Sequence, residues 1–522
     1  MQAGLTKEDK LFFLLLSITF LIYNFNLGLM PLLADEPTRA IVSLEMVLSN
    51  NFIFPTIAGE AYLNKPPLFN WLISFMMQHN ALFTEWDLRI LSLCAFFLMT
   101  IVHYLVISKQ VNKSIALWSS LAFLTCGRII FYDSMMGYID PVFSLFVLLN
   151  FYWIISMSRT QRYALLFGLS YLLCLIAFFL KGLPALAFQA CTLSAVFIFR
   201  KKVYNLLSFS HLFGISILLL GTAIYYYEYI AYYDLNVLMN ALIDQSAQRT
   251  PLFNKIEITL VHIVSFPFVY ISDLLPFSLL LLFCFNKTFF QTIKKNDYIF
   301  YSCIVIFSNI WLYWISSETR ARYLFMFLPL FFTIVLYAWQ TYTTPLIEKN
   351  IQRGIQILIA ICSLVIWIIP FNQRFAFAEH AILLTGICFC LLVVTLFLSY
   401  KKYIHSFLAV ILLLLILRLD FNLFILPLRH KEAPESMNKE VGIAIATLTK
   451  DKPLFILNHA PINHDILYYT TINRQAIIST KLKPEYGNYY ICNRSDIDTF
   501  NLVPVYSFGV TYNASTLFVV KK

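Results

Sequence analysis

Charge is scarce in this chain. Only 13% of its residues are Asp, Glu, Lys or Arg, against roughly 25% in a soluble domain, and that excludes a water-soluble enzyme. Glycine and proline are also few, 14 and 19 among 522 residues, which excludes collagen-like repeats and low-complexity linkers; the apolar share of 60% excludes disorder. No Cys-x-x-Cys pair suggests a metal site, and of the 10 cysteines only Cys492 lies outside apolar runs, so no extracytoplasmic disulfide within the chain is expected. The net charge of +10 comes without a Lys/Arg-rich run interleaved with aromatics. Basic loops between membrane spans account for it, and nucleic acid is not an expected partner.

What the chain has instead is long apolar runs. A span needs about 20 such residues, and about thirteen can be placed: Leu11 to Leu33, Leu88 to Ser108, Ser114 to Ile130, Pro141 to Ser158, Ala164 to Leu180, Leu183 to Phe199, Leu207 to Ile230, Leu260 to Phe285, Tyr298 to Ile315, Tyr323 to Thr341, Gly354 to Phe371, His380 to Tyr400 and Ile404 to Pro427. The first follows Lys7 and Lys10 and is too long for a signal-peptide core, so it stays as an anchor with its N-terminus in the cytoplasm. Alternation then puts Lys109 and Lys113, Arg159 and Arg162, Arg200 to Lys202, Lys287 with Lys294 and Lys295, Lys349 and Arg353, and Lys401 and Lys402 on the cytoplasmic side, as the positive-inside rule requires. The opposite face receives a loop from Ala34 to Asp87, a second from Ala231 to Thr259, and the tail from Leu428.

Residues 1–427 thus read as a membrane domain and 428–522 as a small α/β domain. In the tail a helix is expected over Glu435 to Thr449, with strands at Leu454 to Leu457, Ala476 to Ile478, Tyr489 to Cys492, Leu502 to Tyr506 and Leu517 to Val520. Nothing in the tail looks catalytic, and His459 and His464 read as surface or core residues.

Ionisable groups at helix mouths are costly and suggest a site. Here they gather on the extracytoplasmic side: Asp35, Glu36 and Arg39 after the first span, then Glu60, Lys65 before Pro66-Pro67, Asp87 and Arg89, then Asp133, Asp140, Lys181, Arg320 and Arg322. Singly, Asp35 and Glu36 could cap a helix and Arg39 could pair with either. Together, carboxylates beside cations at the mouth of a lipid-accessible bundle suit chemistry between a phosphate-bearing lipid and an acceptor, with a carboxylate handling the acceptor's proton and cations holding the phosphate.

The stretches Asp35-Glu36-Pro37-Thr38-Arg39, Leu44-Glu45-Met46, Asn51 to Pro55 and Tyr62 to Trp71 resemble the first loop of bacterial GT-C glycosyltransferases, most nearly the aminoarabinose transferases acting on lipid A, relatives of protein O-mannosyltransferases. Asp133 to Pro141, Phe179 to Pro184 and Arg320 to Pro329 resemble later motifs of the same family, in the same order. The resemblance implies a GT-C fold of about 13 transmembrane helices with a periplasmic C-terminal domain, in the bacterial inner membrane with the active site facing the periplasm. It implies transfer of a sugar from a polyprenyl-phosphate (undecaprenyl-phosphate) carrier to lipid A or another envelope acceptor. Asp35 then matches the family's catalytic acidic position, with Glu36 beside it, while Arg39, Lys65, Asp133, Asp140, Lys181, Arg320 and Arg322 are the expected donor-phosphate or substrate-binding residues.

Two departures stand out. Asn64 replaces the Glu that often precedes the Lys-Pro motif, which leaves a metal or acceptor contact open, and Pro37 with Thr38 separates Glu36 from Arg39 by two residues where the closest relatives have one. No cofactor is required; a divalent metal stays open, since His262 and His380 lack a clear second ligand. Asp35 to Asn80 and Tyr232 to Glu257 are expected to form short interfacial helices, anchored by Phe52, Phe54, Trp71, Leu252 and Phe253, over a cavity that admits the carrier from the bilayer. The rival reading is a transporter or flippase of a lipid-linked saccharide, which fits less well because the charges lie at one face and no repeat is found.

Overall fold

A computed structural model describes residues 5–80, 83–232, 234, 236–237, 240, 256–510 and 515–522. The chain is a multi-pass membrane protein. Each of the thirteen expected segments carries helix. Among the described residues eight helices are long and apolar enough to cross a membrane, or nine when Lys113–Thr125 and Gly127–Met135, bent by 40°, count as one span. The remaining segments are shorter or interrupted: Leu183–Phe199 has 17 residues, and the run from Leu260 divides into Ile256–Asp273 and the 3-10 turn Phe277–Phe285.

Two compact bodies emerge. The first comprises Met1–Leu27, Ile90–Ala223 and Asp244–Leu428. Its interior is built by Leu328–Tyr342, which packs on Lys113–Thr125 and Asp297–Asn309, and by the pair Ile139–Met157 and Tyr163–Lys181. Pro345–Val365, Ala381–Tyr400 and Ser406–Asp420 share a core of Ile359, Cys388, Leu392, Leu413 and Ile416. Large side chains such as Leu207, Phe209, Leu220 and Phe285 remain exposed, as on a lipid-facing surface. Hydroxyls are satisfied within their own helices, as in Thr100 to the Phe96 carbonyl at 2.8 Å and Thr125 to Leu121 at 2.7 Å. Side chains also bond between helices: Asn150 Nδ2 donates to Gln189 Oε1 at 2.5 Å, and Ser170 joins both. The 40° bend has a local cause, because the Gly127 amide donates to the Leu275 carbonyl at 2.8 Å and a Cβ at Gly127 would stand 3.2 Å from that oxygen.

The second body comprises Gly28–Arg89, Ile224–Ile243 and Arg429–Lys522. The first loop supplies helices Glu36–Ser49 and Leu68–His79 and a hairpin of β1, Thr56–Ile57, with β2, Glu60–Ala61. Short helices were expected here; most of Tyr232 to Glu257, including Leu252 and Phe253, lies outside the described residues. The tail holds a five-stranded sheet of β3 (Leu454–Leu457), β4 (Thr480–Lys481), β5 (Tyr489–Cys492), β6 (Val503–Val510) and β7 (Ser515–Lys521), in the order β4-β3-β5-β7-β6. β3 runs parallel to β4 and β5, whereas β7 is antiparallel to both β5 and β6. The expected helix forms over Pro434–Leu448, and two unexpected ones, His464–Arg474 and Arg494–Phe500, join it. Ala476 to Ile478 is not a strand: Ile478 is buried as a packing residue, and the ladder begins only at Thr480.

Candidate active site

In the second body, Asp35 follows Ala34, whose φ of 52° turns the chain into Glu36–Ser49. Asp35 holds the N-cap position, yet its side chain makes no capping bond. It lines a cavity of about 600 Å3 whose other polar walls are Thr38, Glu435, Asn438, Asn463, His464 and Asp465. Among the described residues three carboxylates and no Lys or Arg line this space. The tail, read as chemically silent, thus lines the same cavity as Asp35: His464 Nδ1 lies 2.8 Å from Thr38 Oγ1, and Asn438 Nδ2 donates to Asp465 Oδ2 at 2.8 Å. Burial holds the His464 imidazole below its ordinary range, against the pull of Asp465.

Glu36 is fully buried and committed elsewhere. Arg89 grips it with two bonds, Nε to Oε1 at 2.9 Å and Nη2 to Oε2 at 2.8 Å, and the Leu33 amide donates to Oε2 at 2.8 Å. Arg89 also donates to the Met30 and Pro31 carbonyls at 2.8 and 2.6 Å, so the pair ties down the turn that carries Asp35. Arg39 pairs with neither carboxylate. Its Nη2 donates to Tyr62 Oη at 2.8 Å, its guanidinium lies 5.4 Å from that ring's centre, and among the described residues the buried Nη1 has no hydrogen-bond partner. Lys65 is half-buried beside Tyr62, Tyr225, Tyr226 and Tyr229, around a gap of about 20 Å3, room for about one water. Glu60 sits apart from these, 2.9 Å from His459 Nδ1.

The first body carries its own charge cluster. Lys181 Nζ meets Asp140 Oδ1 at 2.5 Å, Arg322 Nε lies 3.3 Å from Asp140 Oδ2, and all three side chains are buried. Lys181 is placed by the turn at Gly182, whose φ of 78° and ψ of −136° only glycine adopts readily, between Tyr163–Lys181 and Leu183–Phe199. Aromatic faces cover both cations: Tyr323 at 3.7 Å from Lys181 Nζ, Tyr138 at 4.1 Å from the Arg322 guanidinium. Both cations thus share Asp140, and the Asp133 charge is near enough to act on Arg322 and Asp140. Asp133 pairs instead with Arg128, Nε to Oδ2 at 2.6 Å, and Arg320 is exposed at the start of the 3-10 turn Ala321–Phe327.

Sequence reasoning passed over Arg128, Asn438 and Asp465, gave Glu45 no role of its own, and read His464 as a surface or core residue. Arg128 had a signal, being a cation inside an apolar run. Glu45 is fully buried in Glu36–Ser49 and accepts from Thr56 Oγ1 at 2.7 Å and the Ala58 and Gly59 amides at 2.6 and 3.2 Å, thereby holding the hairpin. Burial pushes its carboxyl above the usual range. Among the described residues no three His, Cys, Asp or Glu side chains gather as a metal site requires.

No established family's sequence profile matches the chain. It is 31% identical over 209 residues to the undecaprenyl phosphate-alpha-4-amino-4-deoxy-L-arabinose arabinosyl transferase of Pseudomonas savastanoi pv. phaseolicola, a stretch covering 38% of each chain. It is 26% identical over 221 residues to a Proteus mirabilis protein of that name, 41% of this chain and 40% of the relative. The matches thus span about two fifths of these relatives' lengths. Over 97% of both chains the fold superposes on ArnT from Cupriavidus metallidurans bound to undecaprenyl phosphate, with a TM-score of 0.67 and 14% identity. The apo form of that protein gives 0.68 and 15%, covering 99% of this chain and 98% of that one. The fold is therefore that of ArnT, the GT-C fold expected from the motifs.

Proposed function

We propose that this chain is a glycosyltransferase of the inner membrane that moves a sugar from a polyprenyl-phosphate carrier to lipid A or another envelope acceptor on the periplasmic side. The observation that carries the reading is the buried Asp140, Lys181 and Arg322 cluster, whose two converging cations suit a phosphate, within the fold of a protein solved with undecaprenyl phosphate.

In the reaction an acceptor oxygen attacks the sugar's anomeric carbon, the bond from that carbon to the carrier phosphate breaks, and the phosphate leaves with the electron pair. Lys181 and Arg322 stabilise the leaving phosphate. Asp35 takes the proton when the acceptor is a hydroxyl and orients the acceptor when it is an already ionised phosphate. Glu36 supports Asp35 through Arg89 as a positioning residue. Arg39 offers the N–H of Nη1 to the substrate. Three carboxylates in the Asp35 cavity favour a sugar bearing an amino group, the kind named for the Pseudomonas and Proteus relatives.

The decisive experiment incubates the purified protein with polyprenyl-phosphate sugars, amino and neutral, and with acceptors including lipid A. Formation of a glycosylated acceptor with release of carrier phosphate is expected. Movement of the intact carrier across a vesicle membrane without bond cleavage would establish the flippase instead.

A further inference from the structure

Away from the candidate site, within the first body, the start of Ser406–Asp420, the end of Leu328–Tyr342, the start of Pro345–Val365 and the start of Lys113–Thr125 line a half-open cavity of about 190 Å3. Its size suits one small polar group better than a whole ligand, since pockets for drug-sized molecules start near 300 Å3. Four aromatic rings form one part of the wall. Trp118 stacks on His405 with centres 5.3 Å apart and planes 17° from parallel, and His405 stacks on Phe407 at 5.4 Å. Trp339 meets Phe407 edge-on at 5.7 Å and 77°, forming a corner.

The polar part of the wall is specific in sign. Among the described residues Glu348 is the only carboxylate that lines the cavity, and no Lys or Arg does. Glu348 Oε1 stands 3.8 Å from His405 Nε2, while His405 Nδ1 accepts the Phe407 amide at 3.2 Å, so a neutral ring carries its proton on the side of Glu348. Thr343 Oγ1 is buried and, among the described residues, has no hydrogen-bond partner. Electron-rich faces, one carboxylate and one unspent hydroxyl oxygen complement a small cation that carries N–H donors. Lys349, next to Glu348, is exposed, as are Lys401 and Lys402 after the end of Ala381–Tyr400. An ordinary interfacial belt of Trp and Tyr needs no carboxylate set beside its rings.

We infer that this pocket holds the primary ammonium of an ethanolamine-type phospholipid headgroup, with the exposed lysines left for its phosphate. The rings and Glu348 attract the charge. Thr343 supplies the feature that separates a primary from a quaternary ammonium, because only the former has an N–H to give it.

Native mass spectrometry of the full chain in detergent tests this, with phosphatidylethanolamine, phosphatidylcholine and phosphatidylglycerol of identical acyl chains. Phosphatidylethanolamine is expected to bind about tenfold more tightly than phosphatidylglycerol, with phosphatidylcholine between them. Glu348→Gln and Thr343→Val should each reduce phosphatidylethanolamine binding by about threefold or more, leaving phosphatidylglycerol unchanged. Thr343→Val keeps the side-chain volume and removes a buried unpaired hydroxyl, so it should fold at least as well as the parent. Equal binding of phosphatidylethanolamine and phosphatidylglycerol, or a preference that survives both substitutions, overturns the site. Equal binding of phosphatidylcholine with no effect of Thr343→Val overturns its assignment to a primary ammonium.

Discussion

Arg89 and Glu36 meet through two roughly parallel bonds of 2.8 and 2.9 Å, with both side chains buried. Removing one partner strands the other charge away from water. Glu36→Ala should therefore cost about 3–5 kcal/mol, whereas Glu36→Leu combined with Arg89→Met should recover most of that loss. Thermal unfolding in detergent gives both numbers, and an unchanged Tm for Glu36→Ala would sink the clasp.

Asp35 bears on turnover instead. Its side chain lines a cavity rather than capping its helix, so Asp35→Asn should lower kcat by about 10² or more with a hydroxyl acceptor. The drop should be smaller with a phosphate acceptor, which needs no deprotonation at neutral pH. Near-normal turnover with a hydroxyl acceptor rules out Asp35 as the base.

The cations divide by their surroundings. Lys181→Ala and Arg322→Ala should each weaken binding of a polyprenyl-phosphate analogue by about 2–5 kcal/mol, and exposed Arg320→Ala by under about 1 kcal/mol. Asp140→Asn has a sign of its own: it leaves two buried cations without their carboxylate, so the free protein should melt earlier and gain more Tm from the analogue than the parent does. Titrations monitored by Tm separate these outcomes.

His464 makes the tail acid-sensitive. Burial lowers its pKa in the folded protein, so the unfolded chain binds more protons and stability falls as the pH drops through the imidazole range. Hydrogen exchange of His464–Arg474 should rise between neutral and mildly acidic pH in the parent and stay flat in His464→Gln. A flat profile in the parent counts against it.

The membrane helices were legible because lipid demands long apolar runs and basic loops between them, a pattern that no tertiary contact needs to complete. Asp35, Lys181 and Arg322 were legible as charges that hydrocarbon should have excluded. What a charge touches was not legible. Glu36 and Asp35 are neighbours in sequence, yet one is clasped by Arg89, 53 residues away, and the other opens on a cavity. The same limit hid the tail: His464 gains its meaning from Thr38, 426 residues earlier. The helix His464–Arg474 was missed because its polar face and its Thr and Tyr content blur the apolar period.

The order of the tail's strands has a consequence for its biosynthesis. β7 is made after β5 and β6 but lies between them, joined to each by an antiparallel ladder. Until the ribosome releases β7, β6 has no neighbour and β5 presents a bare edge of the kind that invites pairing with other chains. The sheet is therefore completed after translation has passed its last strand. A nascent chain stalled or cut short of Ser515 leaves β6 unpaired and β5, though held by β3, with one edge bare.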